Sequence, residues 1–272
     1  MTNDEIQIAI DWAAAEGWNP GLNDAPCFYQ TDPKGFFLGL LDDKPIGCIS
    51  VVSYQGTFGF LGFYIVHPEY RGQGYGIQIW NRGMEYLRHN NIGLDGVIDQ
   101  QMNYKKSGFK LAYRNIRYEG TANHYSVDDK FIRPVREVEF TKLVAYDTKF
   151  FPVEREVFLN CWFNMPDSHT LVYVEDGIKG YGTIRKCLHG YKIGPLFSDN
   201  EKIAEQLLNA LSSKVEIVSP IFLDVPEVNP EAVVLAQKHS MRKVFETARM
   251  YTKEEPQIKL DGIFGVTTFE LG

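Results

Sequence analysis

The sequence predicts an α+β protein made of two similar halves. Its 272 residues, 44% of them hydrophobic, supply apolar material for two cores. Residues 37–47 and 170–180 share a strand, an acidic turn and a closing glycine at an offset of 133 positions. Residues 108–117 align with residues 240–249 at an offset of 132. Because the two offsets are nearly equal, we predict an internal repeat.

The first half reads as β-strands and helices separated by turns. Apolar residues repeat at helical spacing in some segments and form β-rich runs in others. The predicted elements are a helix at residues 6–13, strands at 36–41, 46–54 and 58–66, a helix at 76–90 and a strand at 94–98.

The boundary between the halves is predicted in a polar segment without periodicity, residues 121–136. An ordered loop that crosses between the halves would have the same composition. The predicted domains are residues 1–125 and 126–272.

The composition argues against several classes of protein. The net charge is -7 and no block of Lys or Arg occurs, so nucleic acid is not an expected partner. The sequence has neither a basic leader with an apolar core nor a long apolar run, so neither export nor a membrane span is expected. Cys27, Cys48, Cys161 and Cys187 are scattered, which predicts reduced thiols in a cytoplasmic protein and no structural metal.

A glycine-rich turn lies between the third predicted strand and the helix that follows it. The turn reads Arg71, Gly72, Gln73, Gly74, Tyr75 and Gly76. Backbone N–H groups at a helix N-terminus attract anions, and an arginine adds a planar donor, so we predict a phosphate site. An ordinary tight turn is the alternative. The Walker and dinucleotide motifs fit less well, because Ile77 stands where they require Lys or Gly.

The turn resembles the acyl-CoA motif of the GNAT superfamily of N-acetyltransferases. That motif reads Gln or Arg, two residues, Gly, one residue, then Gly or Ala, and Arg71, Gly74 and Gly76 match it. The resemblance implies mixed, mostly antiparallel twisted sheets with flanking helices. It also implies that acetyl-CoA binds with its diphosphate on residues 71–76. Its pantetheine arm would then bond the backbone at Ile65 and Val66, where the strand diverges from its neighbour.

The same resemblance implies a role for Tyr104 as general acid. GNAT enzymes place a tyrosine four residues before a Gly-Phe pair, which here occupies positions 108 and 109. A phenol there can donate a proton to the departing thiolate, although a packing role is the alternative. Asn103 would supply a polar contact to the cofactor. The carboxylate that some family members carry near the start of the splayed strand is missing, so Asp99 is the candidate base, with a solvent-facing role as the alternative.

The acceptor amine is expected beside the acyl group. Residues 16–21 and 265–272 resemble the bacterial tandem-GNAT subgroup of YitH-like proteins. Residues 18–29, predicted as a loop, suit closure over a cationic amine or an unspecific lid. The candidate acceptor contacts, each with a structural role as its alternative, are Trp18, Asp24, Phe28, Tyr29, Asp224 and Glu270.

The second half is predicted to be degenerate. Its strand at residues 191–197 is followed by Ser198, Asp199 and Asn200, without an arginine or a glycine series. An Asp at the helix start would satisfy the free amides itself. We therefore expect one cofactor site, with the second half as scaffold or substrate wall.

Together these features predict an N-acyltransferase. It would move an acetyl or other short acyl group from coenzyme A to the primary amine of a small molecule, by direct attack in a ternary complex. The alternatives are a non-catalytic acyl-CoA sensor and a protein-lysine acetyltransferase.

Overall fold

The computed structural model describes residues 1–124 and 130–272. The first half contains α1 (Ile6–Ala15), α2 (Asp24–Thr31), β1 (Phe36–Leu41), β2 (Lys44–Tyr54), β3 (Phe58–Val66), α3 (Tyr75–Tyr86), β4 (Asn91–Val97), α4 (Gln101–Lys106) and β5 (Lys110–Thr121).

The second half repeats this order after a short additional strand, β6 (Ile132–Pro134). Its other elements are α5 (Phe140–Asp147), α6 (Glu156–Phe163), β7 (Ser168–Val174), β8 (Ile178–Lys186), β9 (Tyr191–Ser198), α7 (Glu201–Ser212), β10 (Pro220–Pro226), α8 (Pro230–Lys238), β11 (Arg242–Tyr251) and β12 (Ile263–Gly265). The predicted internal repeat is therefore present as a repeated order of hairpin, strand, helix, strand, helix and strand.

The two halves form one continuous mixed sheet, because they exchange their last long strands. The order is β1-β2-β3-β4-β11-β5-β10-β9-β8-β7-β6. Strand β11 of the second half lies between β4 and β5 of the first, and β5 lies between β11 and β10. Each half thus completes its sheet with a strand of the other, and the predicted α+β fold holds although its two sheets are fused.

Strands β3 and β4 are parallel and diverge halfway along. They pair from Phe58 opposite Asn91 to Leu61 opposite Leu94. Beyond Leu61, β3 continues to Val66 while pairing only with β2, and its register shifts there around Phe63, which has a φ of 43°. A bulge with a positive φ bends the strand away from its neighbour. A gap therefore opens in the middle of the sheet.

The second half has an equivalent gap, but its own chain fills it. Strands β9 and β10 pair from Tyr191 opposite Ile221 to Ile193 opposite Leu223. Strand β12 then bonds to β9, and the N–H of Val266 donates to the carbonyl of Asp224 on β10 at 2.8 Å. The segment 263–266 therefore closes the second gap.

Helices cover both faces of the first half. Helix α3 packs on one face through Ile79 and Trp80, together with Leu61 and Leu94 of the sheet. Helices α1, α2 and α6 cover the opposite face around Phe28, Phe63 and Trp162. Because side chains alternate along a strand, neighbouring residues of β3, β4 and β11 face these two different layers.

Two of the four cysteines are joined, which corrects the prediction of reduced thiols. Cys27 of α2 and Cys161 of α6 form a disulfide with a Cα–Cα distance of 5.3 Å and a sequence separation of 134. This separation is close to the repeat offset, so the two cysteines occupy equivalent helices that pack together. The sequence hides this contact because spacing alone does not reveal which helices pack. Cys48 and Cys187 are buried free thiols.

The predicted boundary between residues 125 and 126 lies outside the described residues. The predicted linker, residues 121–136, includes β6 in its described part, which pairs with β7. In residues 1–124 and 130–272, none of the helices is both long and apolar enough to cross a membrane.

Candidate active site

The N-terminus of α3 presents free backbone N–H groups. Gly74, the residue before the helix, has a φ of 85°, and no described side chain caps the helix. The N–H groups of the first turn have no acceptor inside a helix, and the helix dipole adds positive potential. Gly72 also has a positive φ, of 75°, and no described atom would contact a Cβ at either glycine. The turn is therefore open and shaped for a phosphate group.

Arg71 is held by the protein, which differs from the free donor that the sequence predicts. Its Nε donates to the carbonyl of Val66 at 2.8 Å, and its guanidinium forms an ion pair with Glu16. Arg71 thereby ties the turn to the end of β3 and to the region just after α1. Gln73 adds a second tie, since its side chain donates to the carbonyl of Glu69 at 2.8 Å.

A cavity of about 720 Å³ occupies the gap between β3 and β4 and passes through the sheet. It runs from the α3 turn to a wall formed by both halves. The lining residues are Glu16, Trp18, residues 61–66, Tyr70, Arg71, Gly72, Gly74, Gly76, Ile77, residues 94–97, Asp99, Gln100, Tyr104, Phe245, Thr247, Phe269 and Glu270.

Two tyrosines pack on Trp80 on the α3 side of the cavity. Tyr104 stacks on Trp80 with a centroid distance of 5.7 Å and an interplanar angle of 26°. Its ring lies against Gly96, where a Cβ would overlap it. Burial, with a smaller contribution from Tyr64, raises the pKa of Tyr104 to about 12. The phenol therefore stays protonated at neutral pH, as a general acid must.

Tyr64 is a site residue that the sequence did not reveal. It packs edge-on against Trp80 at 5.1 Å, and a Cβ at Gly76 would lie 2.8 Å from its hydroxyl. Its hydroxyl therefore reaches the first turn of α3. Burial raises the pKa of Tyr64 as well. Tyr64 has this position because of the neighbouring bulge in β3, and the sequence pattern does not reveal that bulge.

The opposite side of the cavity carries polar groups without partners. Glu270 is only 3% exposed, and burial raises the pKa of its carboxyl, opposed chiefly by Lys192. Its carboxylate makes no hydrogen bond with a described residue. The Thr247 hydroxyl is buried and also lacks a partner within the described structure. Both residues line the cavity, beside Phe245 and Phe269.

Several predicted contacts lie elsewhere in the structure. Asp24 is buried in an ion pair with Arg185 at 2.9 Å, and Asp224 is buried in one with Arg117 at 2.7 Å. Phe28 is fully buried against Trp162. The predicted loop at residues 18–29 also includes the first part of α2, which accounts for the burial. Among the predicted site residues that the cavity does not include are Asp24, Phe28, Tyr29, Asn103 and Asp224.

The last two predicted polar residues are exposed. Asp99 lines the cavity two residues after the end of β4. Asn103 is exposed on α4, where its amide donates to the side chain of Gln100 at 2.8 Å. In the described residues, no group of three or more His, Cys, Asp and Glu could hold a metal ion.

The equivalent helix start in the second half is closed. The side chain of Asn200 accepts a hydrogen bond from the N–H of Ile203 at 3.1 Å, which caps α7. The capping residue is therefore Asn200, whereas Asp199 accepts a hydrogen bond from Tyr146 at 3.0 Å. A capped helix start and a gap filled by residues 263–266 both disfavour a second site of the same kind.

The repeated fold and the open gap between β3 and β4 define a protein built on two acyltransferase-type domains. The sequence profile of the acetyltransferase (GNAT) family matches residues 5–109, and that of an acetyltransferase (GNAT) domain matches residues 143–265. The chain belongs to the GNAT superfamily, as a member with two such domains in tandem.

Similar proteins extend over the whole chain. Holothin acyltransferase from Pseudoalteromonas sp. (strain SANK 73390) is 32% identical over 270 residues, which cover 99% of this chain and 92% of that protein. A putative acetyltransferase from Pyrococcus horikoshii has a TM-score of 0.85 and 24% identity, covering 100% of this chain and 94% of that one. A tandem GNAT protein from the clavulanic acid biosynthesis pathway has a TM-score of 0.65 and 11% identity, covering 94% and 98%. The two structures share the fold.

Proposed function

We propose that this protein transfers an acetyl or other short acyl group from coenzyme A to the primary amine of a small molecule. One observation carries the proposal: the cavity through the sheet joins the uncapped start of α3 to the wall that contains Glu270. A donor with a diphosphate can enter from one side and an amine from the other. The two substrates then meet inside the gap.

The donor side fits the shape of an acyl-CoA. The diphosphate binds the N–H groups at residues 72–76, where glycines leave room for close approach. The pantetheine arm lies along the free edge of β3 at Ile65 and Val66, the edge that β4 no longer covers. Because Arg71 already bonds the carbonyl of Val66, its role here is to hold the turn and to add positive potential.

The reaction is direct attack on the thioester. The amine nitrogen bonds to the thioester carbon, and the carbon–sulfur bond breaks as the thiolate of coenzyme A leaves. Tyr104 faces the cavity with a protonated phenol, which donates to that thiolate. Tyr64, next to it, is placed to contact the same group. No covalent enzyme intermediate is needed.

The acceptor side favours a small amine over a protein chain. The cavity volume of about 720 Å³ lies in the usual range for small-molecule sites. Trp18, Phe245 and Phe269 offer flat apolar surface, and Glu270 offers a negative charge for a cation. The relative at 32% identity is named an acyltransferase of holothin, which supports a small-molecule acceptor. A cytoplasmic location belongs to the same proposal, since acyl-CoA is an intracellular thioester.

A panel of amines with acetyl-CoA tests the proposal. Release of coenzyme A is followed with a thiol reagent, in the presence of small aromatic and aliphatic amines and of lysine-containing peptides. We expect acceleration with at least one small amine and none with the peptides. Binding of acetyl-CoA without acceleration by any amine would instead indicate a sensor. Acceleration by peptides alone would indicate a lysine acetyltransferase.

A further inference from the structure

The segment that fills the second gap also reaches the first one. The chain is buried from residue 262, just before β12, to residue 272. The backbone of Glu270 packs on Gly62, where a Cβ would lie 2.8 Å from the Cα of Glu270. Gly62 follows Leu61, the last residue of β3 that pairs with β4. Glu270 therefore sits where the first gap begins to open.

Neighbouring contacts hold the segment in this place. The hydroxyl of Tyr54 donates to the carbonyl of Leu271 at 3.0 Å, and the N–H of Leu271 donates to the hydroxyl of Thr268 at 2.9 Å. Arg155 donates to the carbonyl of Gly272 at 3.4 Å. A side chain carried by this segment is therefore positioned by both halves.

The charged side chains around Glu270 bond to other groups, although the Nη2 of Arg185 has no hydrogen-bond partner in the described residues. Four charged side chains act on its carboxylate: the cations Lys192, Arg117 and Arg185, and the anion Asp24. Arg117 bonds both oxygens of Asp224. Arg185 bonds Asp24, and the Lys192 ammonium donates to the carbonyl of Asn19 at 3.0 Å. The Glu270 carboxylate therefore receives no hydrogen bond from a described residue, although the residue is only 3% exposed and lines the cavity.

A buried carboxylate without a partner is costly, so its presence indicates a functional role. Thr247 gives an independent indication of the same kind. Its hydroxyl is buried and lacks a partner in residues 1–124 and 130–272, and the residue lines the cavity. Glu270 thus places on the cavity wall a carboxylate that can accept hydrogen bonds from a ligand, and Thr247 places an unpaired polar group in the same wall.

The other buried carboxylate of the cavity is already satisfied. Asp95 accepts hydrogen bonds from Arg249 at 2.6 and 2.8 Å, and a third from Asn115 at 2.8 Å. Burial raises the pKa of Asp95, but the bonds from Arg249 and Asn115 oppose this and already occupy its carboxylate oxygens. Asp99 is exposed, two residues after the end of β4. Glu270 is therefore the better placed of the three.

We propose that Glu270 is the catalytic base, which takes a proton from the ammonium group of the acceptor inside the cavity. The assignment rests on the function proposed above. It explains how the enzyme does without a carboxylate near the start of β3. The base comes instead from the segment of the second half that closes its own gap.

With Glu270 as the base, every proton of the transfer reaction has a donor and an acceptor. The acceptor ammonium gives one proton to Glu270 and becomes a neutral amine, whose lone pair forms the bond to the thioester carbon. When the carbon–sulfur bond breaks, the thiolate takes a proton from Tyr104. The nitrogen loses its second proton at the same stage, and that proton restores Tyr104. Glu270 returns its own proton to solvent once the amide leaves.

The substitution Glu270→Gln tests the assignment, because it keeps the size of the side chain and removes the charge. The probe is acetyl-CoA with whichever panel amine the wild type acetylates fastest. We expect kcat to fall by roughly a hundredfold or more at pH 7. In the wild type, protonation of Glu270 should lower kcat/KM toward low pH. In the variant this fall should disappear, and the affinity for acetyl-CoA should stay unchanged. The matched control is Glu175→Gln, which alters an exposed glutamate in the turn between β7 and β8.

Two further variants separate chemistry from folding. Glu270→Asp keeps the charge, so we expect a reduced rate with the low-pH limb retained. Glu270→Ala leaves space for a small anion, so added formate should restore part of its rate.

The outcomes separate the two proposals. If the wild type transfers the acyl group and Glu270→Gln keeps the wild-type rate and pH profile, the assignment of Glu270 as base is wrong. The proposed function would still stand. Absence of rescue by formate in a folded Glu270→Ala variant would also count against the assignment. Absence of transfer to every amine by the wild type would overturn the proposed function as well.

Discussion

Arg249 of β11 and Asp95 of β4 stand directly opposite each other in neighbouring strands, and their side chains form a two-pronged ion pair. The same relationship recurs at Arg117 of β5 and Asp224 of β10. Arg117 and Arg249 are equivalent positions of the repeat, at an offset of 132. Each pair joins a strand of one half to a strand of the other. The same kind of ion pair therefore stabilises the strand exchange at two places.

Removal of one partner should destabilise the protein strongly. Asp224→Asn leaves the buried guanidinium of Arg117 without its counter-charge, and we expect a loss of about 3–5 kcal/mol in the free energy of unfolding. Urea denaturation measures it. The control is Glu85→Gln, which breaks an exposed pair with Arg88 and should cost less than about 1 kcal/mol. Equal effects of the two substitutions would show that the buried pair does not fasten the strands.

The disulfide can be tested by counting thiols. Protein denatured without a reductant should show two reactive thiols, those of Cys48 and Cys187, and four after reduction. In the native protein Cys48 should react slowly, since burial raises its pKa to about 12. Cys27→Ser should lower stability by up to about 5 kcal/mol, because the bond closes a long loop. Four reactive thiols without reductant would contradict the bond.

Gly74 should be required for cofactor affinity because of its backbone conformation. At a φ of 85°, alanine strains the turn by roughly 1–2 kcal/mol. We expect Gly74→Ala to weaken acetyl-CoA binding about tenfold, measured by titration calorimetry. The matched control is Gly56→Ala, in the turn between β2 and β3, where φ is 70° and a Cβ would likewise meet no described atom within 4 Å. If the two variants bind acetyl-CoA with equal affinity, the turn at Gly74 is not part of the cofactor site.

Tyr104 should affect turnover and leave binding nearly unchanged. Tyr104→Phe removes the proton donor, so kcat should fall by about 10²-fold or more while acetyl-CoA affinity stays similar. Because a general acid acts when protonated and its pKa is raised to about 12, its titration should not lower the rate below about pH 10. The control is Tyr118→Phe, a buried tyrosine in the core of the second half. A wild-type kcat in Tyr104→Phe would exclude the phenol from the reaction.

Much of the first half could be predicted because local patterns determine it. The predicted strand at residues 58–66 matches β3, and the glycine turn lies at the start of α3. The repeat offsets identified the duplicated architecture. These features depend on residues that are close together in the sequence, so the sequence alone is enough to predict them.

Long-range features could not be read from the same patterns. The exchange of β5 and β11 depends on pairing between distant strands, and the disulfide depends on how α2 packs on α6. Asp24 and Asp224 were predicted to contact the acceptor because they are acidic, but each neutralises a buried arginine. Glu270 was predicted on the same grounds and does line the cavity. Charge alone does not separate these cases.

A calorimetric titration of the wild type with desulfo-acetyl-CoA, which cannot be turned over, tests the proposed cofactor site most directly. We expect saturable binding of one molecule per chain, at the gap between β3 and β4. No heat at two temperatures would contradict it, and so would binding of two molecules per chain, because the second gap is filled by residues 263–266.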